Sequence, residues 1–459
     1  GGRALLGAAR RGGICTYACH CAEPMKIAII GAGWAGMAAA VEAALAGHTA
    51  IVFEAAHASG GRARALNSTL PDGTPVTLDN GQHILIGAYT ETLRLMRRVG
   101  VQPETALLHQ PMTLLFPDGL GLCFPAWPTP LDALAGIATA RGWGVADKWS
   151  LLRVATGWQF SGFQCAARQS VAQLCQGLSP RVMRELIEPL CVSALNIPAE
   201  RASAQVFLRV MKDALFGVQG GSRLLLPRLD LSELFPAAAA RWLLARHGQL
   251  RLGHRVASVE QQGEQWRVSG EAFDAVILAT SASESARALD ISTQTATDSI
   301  AKKMSNWTRL THALQFEAIT TVYAWGAGAA LPHPMLTLRS TPEAPAQFVF
   351  DRSQLGGHPG LLAFVVSASS GSREALQAQV LQQAQAQLGL SLQAVQTIVE
   401  KRATFACTPG LQRPPQQIAP GLFACGDYVD GPYPATLEGA VRSGLSSVAA
   451  AIHRTKLVA

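Results

Sequence analysis

One stretch, from Lys26 to Glu54, constrains the fold of this chain more than any other. Lys26-Ile27-Ala28-Ile29-Ile30 is an apolar run of the kind that forms a strand buried on both faces. Gly31-Ala32-Gly33-Trp34-Ala35-Gly36 comes next, and the residues after it are rich in alanine, helix-forming, and stopped by Gly47. Thr49-Ala50-Ile51-Val52-Phe53 reads as a second strand and ends in Glu54, 18 residues past Gly36. Each position has a physical reason. Gly31 allows a tight turn, Gly33 lets the backbone approach a pyrophosphate, and Gly36 lets the helix lie close to the strands. The start of the helix, at Trp34 and Ala35, turns free N–H groups and a positive dipole end toward an anion. A carboxylate at Glu54 is placed to accept ribose hydroxyls. The stretch predicts a parallel sheet that binds a dinucleotide.

Composition narrows the remainder. The chain has 459 residues, 49% hydrophobic and only 15% charged, against about 25% charged in an ordinary globular domain. That excludes disorder and coiled coil. No run reaches the roughly 18 apolar residues needed to cross a bilayer as a helix. The net charge of +7 is spread along the chain, so no nucleic-acid partner is expected. Residues 1–24 differ from the rest, with three of the nine cysteines, three arginines and one glutamate, which leaves +5 for residues 25–459. They are expected to be a disordered extension. Cys15, Cys19, His20 and Cys21 match no paired metal-ligand spacing, and no metal is expected anywhere. The other six cysteines are scattered, as in a chain that lives in a reducing cytoplasm.

Three further segments extend the opening pattern. Gly60-Gly61-Arg62, shortly after Glu54 and Ala55, can bring more N–H groups and a cation to a diphosphate. Residues 255–260, 266–268 and 273–280 read as a meander returning to the parallel sheet. Leu422-Phe423-Ala424-Cys425-Gly426-Asp427 reads as a strand running into a turn, before residues 436–444 and a last helix. Together these segments resemble the flavin amine oxidase and phytoene desaturase superfamily, and the resemblance implies FAD as cofactor. It implies that Val256 meets the adenine through its backbone and that Gly426 and Asp427 hold the ribityl chain. Thr436, Leu437 and Ala440 would then bring a helix start to the electron-rich edge of the flavin. Gly81, Gln82, Ala279 and Thr280 join the expected cofactor set. The fold class expected is mixed α/β: a Rossmann-type FAD-binding domain with an interleaved, largely helical substrate domain. The FAD domain would combine residues 25–100, 218–285 and 401–459, and the substrate domain residues 101–217 and 286–400. Helices are expected at 181–195, 203–215 and 372–388, the last opened by Ser372.

Five internal strings are similar to one branch of that superfamily, the hydroxysqualene dehydroxylases of hopanoid biosynthesis. They are Asp79-Asn80-Gly81-Gln82-His83 and its continuation to Tyr89; Glu188-Pro189-Leu190-Cys191 with Ala194-Leu195-Asn196; residues 202–207; residues 222–227; and Gly426-Asp427-Tyr428. The resemblance implies reduction of the allylic alcohol hydroxysqualene to squalene. An acid would assist loss of water, and a hydride from reduced FAD would quench the allylic cation. His83 is the foremost candidate for the proton donor, and the alternative is that it only hydrogen-bonds FAD or backbone. Asp79 and Glu188 are weaker candidates, and Glu438 is assigned to the flavin-binding turn. The electron donor that reduces the flavin is unknown. Rival readings are a carotenoid or phytoene-type desaturase or other flavin oxidase, and a non-catalytic isoprenoid carrier on the same fold. The intact Gly31, Gly33, Gly36, Glu54 and Gly426-Asp427 argue against the carrier.

Trp127, Trp143, Trp149 and Trp158 lie close together in sequence beside Arg141, Lys148 and Arg153. Such a mixture suits the edge of an anionic bilayer, and it equally suits ordinary packing of amphipathic helices. A hydrophobic triterpene must be collected from a membrane, so a cytoplasmic protein resting on the inner membrane face is expected. Arg94, Arg97 and Arg98 are expected to form a solvated helix face.

Overall fold

The computed structural model describes residues 24–458, so the extension and its four candidate metal ligands lie outside the described residues. Lys26–Ile30 stands inside a six-stranded sheet ordered Gln249–Arg251, Thr49–Phe53, Lys26–Ile30, Ala275–Leu278, Leu422–Ala424 and Gln417–Ala419. The first five strands are parallel and the last is antiparallel. Ile27 pairs with Ala50 on one side and Ala275 on the other. Strands buried on both faces need near-continuous apolar sequence, and these have it. The Trp34–Leu45 helix covers one face, with Leu437–Val458 and Pro236–Leu244 packed on it. Small residues make that closeness possible: a Cβ on Gly444 would collide with the Ala35 carbonyl.

The meander is present and begins later than its sequence suggests. Residues 254–259 carry no regular structure, and pairing starts at Glu260–Gln262, continuing through Gln265–Val268 and Glu271–Phe273. Leu107–Gln110 and Leu85–Ile86 both pair with Leu224–Pro227, tying the chain on either side of residue 100 into one small sheet.

All three expected helices form. Pro180–Val182, Met183–Ile187 and Glu188–Leu195 make one helical stretch whose middle is a π turn. Pro189 lacks the N–H that would continue the ladder, which is a reason for that turn to sit immediately before it. Ala204–Lys212 runs into a second π turn, Asp213–Gly217. Arg373–Leu388 is capped by the Ser372 hydroxyl, which accepts from the Ala375 N–H, and it ends at Gly389 in the left-handed region.

The expectation of a largely helical substrate side needs one correction. Residues 131–217 are helical, but Phe316–Trp325, Met335–Thr337, Phe348–Asp351, Leu361–Ser367 and Gln393–Phe405 form a five-stranded antiparallel sheet. Its outer face, with Val322, Ala324, Phe364 and Val366, packs on Leu376, Val380 and Ala384 of the Arg373–Leu388 helix. Its inner face closes a cavity. Because both faces are covered, the strands lose the polar–apolar alternation by which a half-buried strand is read.

Candidate functional site

Every residue of the expected cofactor set except Gly36 lines one continuous cavity of about 960 Å³, as does His83. The parallel sheet supplies the polar end. Gly31 has φ +113°, and a Cβ there would stand 2.6 Å from the Ala279 carbonyl oxygen. Gly36 lies behind the wall, where a Cβ would collide with the Gly31 carbonyl, so its part is to let helix and turn touch. Gly33 is open instead: a Cβ on it would meet only Gly61 Cα, at 3.9 Å. The two glycine clusters are joined, since the Gly60 N–H donates to Ala32 O at 2.8 Å. No side chain caps the N-terminus of the Trp34–Leu45 helix at Gly33, and its first N–H groups are therefore free for an anion. This cradle, shaped by glycines that would clash if substituted and open where a diphosphate must enter, fits a dinucleotide.

Charged groups surround it in a definite arrangement. Glu54 holds the turn by accepting from the Ala32 N–H at 2.7 Å and the Ala56 N–H at 2.8 Å. A carboxylate has about four acceptor sites, so ribose hydroxyls can still be bound. Arg62 pairs with Asp427 at 2.6 Å and also donates to the Ala403 carbonyl. Asn80 Nδ2 donates to Arg62 O at 2.7 Å, tying the second glycine cluster to the Gly81 loop. At the far side, the Thr436 hydroxyl accepts from the Gly439 N–H at 3.0 Å at the start of the Leu437–Val458 helix. Glu438 lines the cavity beside Thr436 and Leu437, and it holds a neighbouring helix as well. Its carboxylate accepts from the Glu91 and Thr92 N–H groups and from Arg442, capping the Thr90–Arg98 helix.

Away from this end the cavity becomes apolar. Met112, Phe124, Trp158, Leu190, Phe348 and Phe350 are among the side chains that line it. At the junction stands His83. Its Nδ1 lies 2.8 Å from Gly81 O; a carbonyl only accepts, so Nδ1 carries the hydrogen. Burial lowers its pKa below the ordinary 6.5 and keeps the ring neutral. Neither Asp79 nor Glu188 lines the cavity. Asp79 is buried beneath the Gly81 loop, where its carboxylate accepts from the Leu231 N–H at 2.8 Å and faces Arg352 at 3.7 Å. Arg352 in turn donates to Gln82 Oε1 at 3.0 Å, so a buried guanidinium braces the loop that carries His83.

Sequence reasoning did not single out Arg352, Thr321, or Asp213 and Tyr433 on the cavity wall with Arg209 bonded to both. The Tyr433 hydroxyl also donates to Asp213 at 3.0 Å. The π turn that opens at Asp213 is the kind of local irregularity that could have drawn attention to it, but it has no sequence signature.

The tryptophans divide. Trp143 is buried and donates from Nε1 to Glu185 at 2.9 Å, so it is a core residue and not part of a membrane face. Trp158 is half-buried, edge-on to Phe207 and on the cavity wall. Trp127 and Trp149 are 57% and 65% exposed. Arg94 and Arg97 form surface ion pairs with Glu42, Glu91 and Glu104, as a solvated face requires. Among the described residues, no helix is long and apolar enough to cross a membrane, and no group of side chains could hold a metal ion.

Comparison with known proteins agrees with this geometry. Residues 34–452 match the family model described as flavin containing amine oxidoreductase. The chain is 26% identical to a hydroxysqualene dehydroxylase of Rhodopseudomonas palustris over 91% of this chain and 96% of that one. It is 25% identical to a second, from Sinorhizobium fredii, over 94% and 99%. Among solved structures it resembles an oxidoreductase from Methanosarcina mazei with TM-score 0.68 and 16% identity, covering 93% of this chain and all of that one. The chain thus belongs to the flavin-containing amine oxidoreductase family and is an FAD-dependent oxidoreductase.

Proposed function

We propose that the protein reduces hydroxysqualene to squalene. The observation that carries this reading is the continuity of the cavity, from a dinucleotide cradle to a largely apolar chamber. The two relatives named hydroxysqualene dehydroxylase, matched over nearly their whole length, point the same way. FAD, when bound and reduced, supplies a hydride equivalent. In this reading the Gly31–Gly36 turn and the Gly60–Gly61 pair hold the diphosphate, Glu54 the ribose, and Val256 the adenine. Arg62 and Asp427 hold the ribityl chain, and the start of the Leu437–Val458 helix faces the flavin edge. The apolar wall excludes water from a carbon that would otherwise be trapped by it. His83, its Nδ1 hydrogen committed to Gly81 O, offers Nε2 to the cavity as a hydrogen-bond acceptor.

The chamber also suggests where the substrate is collected. Val145, Trp149, Leu152 and Phe160 fall on one stripe of the Val145–Phe160 helix, and all are exposed. Leu131 and Leu134 of the neighbouring Leu131–Thr139 helix are exposed as well. Leu134 and Leu152 also line the cavity, so the exposed apolar surface continues into it. Arg141 and Arg153, close to these residues in sequence, are exposed too. In our reading this face rests on an anionic bilayer, and the triterpene passes from lipid to chamber without crossing water.

The reaction is tested anaerobically with photoreduced holoenzyme. Adding hydroxysqualene should restore the oxidised flavin spectrum and yield squalene, more slowly in His83→Ala. Failure of hydroxysqualene to reoxidise the flavin, or bleaching of oxidised flavin by a less unsaturated isoprenoid, would refute the assignment in favour of a desaturase.

A further inference from the structure

Thr321 lies in the Phe316–Trp325 strand, is 1% exposed, and lines the cavity. Its Oγ1 has no hydrogen-bond partner among the described residues. The adjacent Thr320 is different: on the opposite face of the strand, its hydroxyl donates to Ser369 at 2.9 Å. Around Thr321 the wall is apolar. Ile319 shares its face, and its cross-strand partners Val365 and Ile398 line the cavity too. A buried hydroxyl without a partner is destabilising and uncommon, so a ligand is the natural source of the missing bond.

A second atom faces the same gap. A Cβ built on Gly81 would stand 3.8 Å from Thr321 Oγ1 and 3.8 Å from His83 Cε1. The two side chains therefore flank one glycine, which at φ +98° and without a side chain leaves the space between them open. The hydrogen bond from His83 Nδ1 to Gly81 O commits the ring hydrogen to that nitrogen. Nε2, next to Cε1, is left as a lone-pair acceptor and makes no hydrogen bond among the described residues. The gap thus presents one acceptor and one hydroxyl able to donate. Arg62, paired with Asp427, is near enough to act on the charge of His83, which sets the gap where the polar end meets the apolar chamber.

We propose that Thr321 Oγ1 and His83 Nε2 form a hydroxyl-binding subsite that holds the alcohol oxygen of an otherwise hydrocarbon ligand. An alcohol donates its hydrogen to Nε2 and accepts one from Thr321, a pairing no hydrocarbon can make. The subsite deepens the dehydroxylase reading and rests on it for the identity of the alcohol. It selects an alcohol substrate over its deoxygenated product, and it holds the C–O bond at the junction of chamber and cofactor site. Thr321 is a specificity-determining residue in this account.

The test uses purified FAD-loaded protein and tracks ligand binding by perturbation of the flavin absorption bands. Two alcohol–hydrocarbon pairs serve as probes, hydroxysqualene with squalene and farnesol with farnesene. Wild-type protein should prefer each alcohol. Thr321→Val, nearly isosteric, should weaken alcohol binding by about 3- to 10-fold, the worth of one hydrogen bond. Hydrocarbon binding should change less than about twofold, and Thr321→Ser should restore the preference. Equal effects on alcohol and hydrocarbon would overturn the subsite, as would no preference in the wild type. Shifted flavin bands or lost FAD in ligand-free Thr321→Val would also overturn it, by showing that the hydroxyl serves the cofactor. Preferential alcohol binding without flavin reoxidation would keep the subsite and reject the dehydroxylase reading.

Discussion

Asp79 shows how much of a site is decided by a residue that never touches it. Burial raises its pKa from 3.8 to about 6, although the Leu231 N–H and Arg352 both favour its charged form. The folded chain therefore holds this proton more tightly than the unfolded chain. Stability from this residue is gained as pH falls from about 6 toward 4, and it is lost as pH rises through that window. Asp79→Asn keeps an acceptor for the Leu231 N–H and removes the titration. Urea unfolding between pH 4 and 6.5 should show a flatter dependence of stability on pH for the variant than for the wild type. Identical slopes would mean that Asp79 titrates normally. The glycines were legible from sequence because steric demands on a turn are local: Gly31 and Gly36 stand where a side chain would collide with neighbouring backbone. Arg352 and Thr321 were not, because their significance depends on neighbours more than two hundred residues away in the chain, Gln82 and Gly81.

At the scale of elements, capped helices and the strands of the parallel sheet were readable, and the strands of the antiparallel sheet were not. Ser372 and Gly389 bracket a helix that sequence alone delimits. Leu361–Ser367 is buried at every position, so periodicity carries no message about it. The tryptophans teach a related point, since a Trp near basic residues has the same composition whether its ring turns inward, as Trp143 does, or outward, as Trp149 does. The Val145–Phe160 helix has Leu151 as its one buried residue and carries its apolar stripe outward. An ordinary surface helix does the reverse. Holoenzyme should therefore float with anionic liposomes, and Trp127→Glu combined with Trp149→Glu should abolish most of the flotation while leaving the flavin spectrum unchanged. Flotation by the double variant equal to that of wild type would dismiss this face as a membrane contact.

The molecule as a whole is held together by its interleaving. The parallel sheet takes neighbouring strands from residues 26–30, 275–278 and 422–424, and the antiparallel sheet lies between the last two in sequence. Residues from both sheets wall the same cavity. Neither half can lose its structure without exposing the other, and a ligand bound between them stabilises both. Heating the FAD-loaded protein should accordingly give a single transition, with flavin release and loss of secondary structure coinciding, and added FAD should raise its midpoint. A separate, earlier melting of part of the secondary structure with flavin retained would show two independent units.

That same strand order has a consequence for how the protein is made. Lys26–Ile30 emerges during synthesis long before Leu422–Ala424, for which its sheet waits, and the cradle waits for Thr436 to Ala440. At about 5–20 residues per second, translation leaves the fingerprint without its closing helix for tens of seconds. Cofactor capture therefore waits until residues 436–440 have joined the fold. A cell short of riboflavin should accumulate not a colourless enzyme in waiting but a chain with an open greasy chamber, which is a substrate for chaperones and proteases.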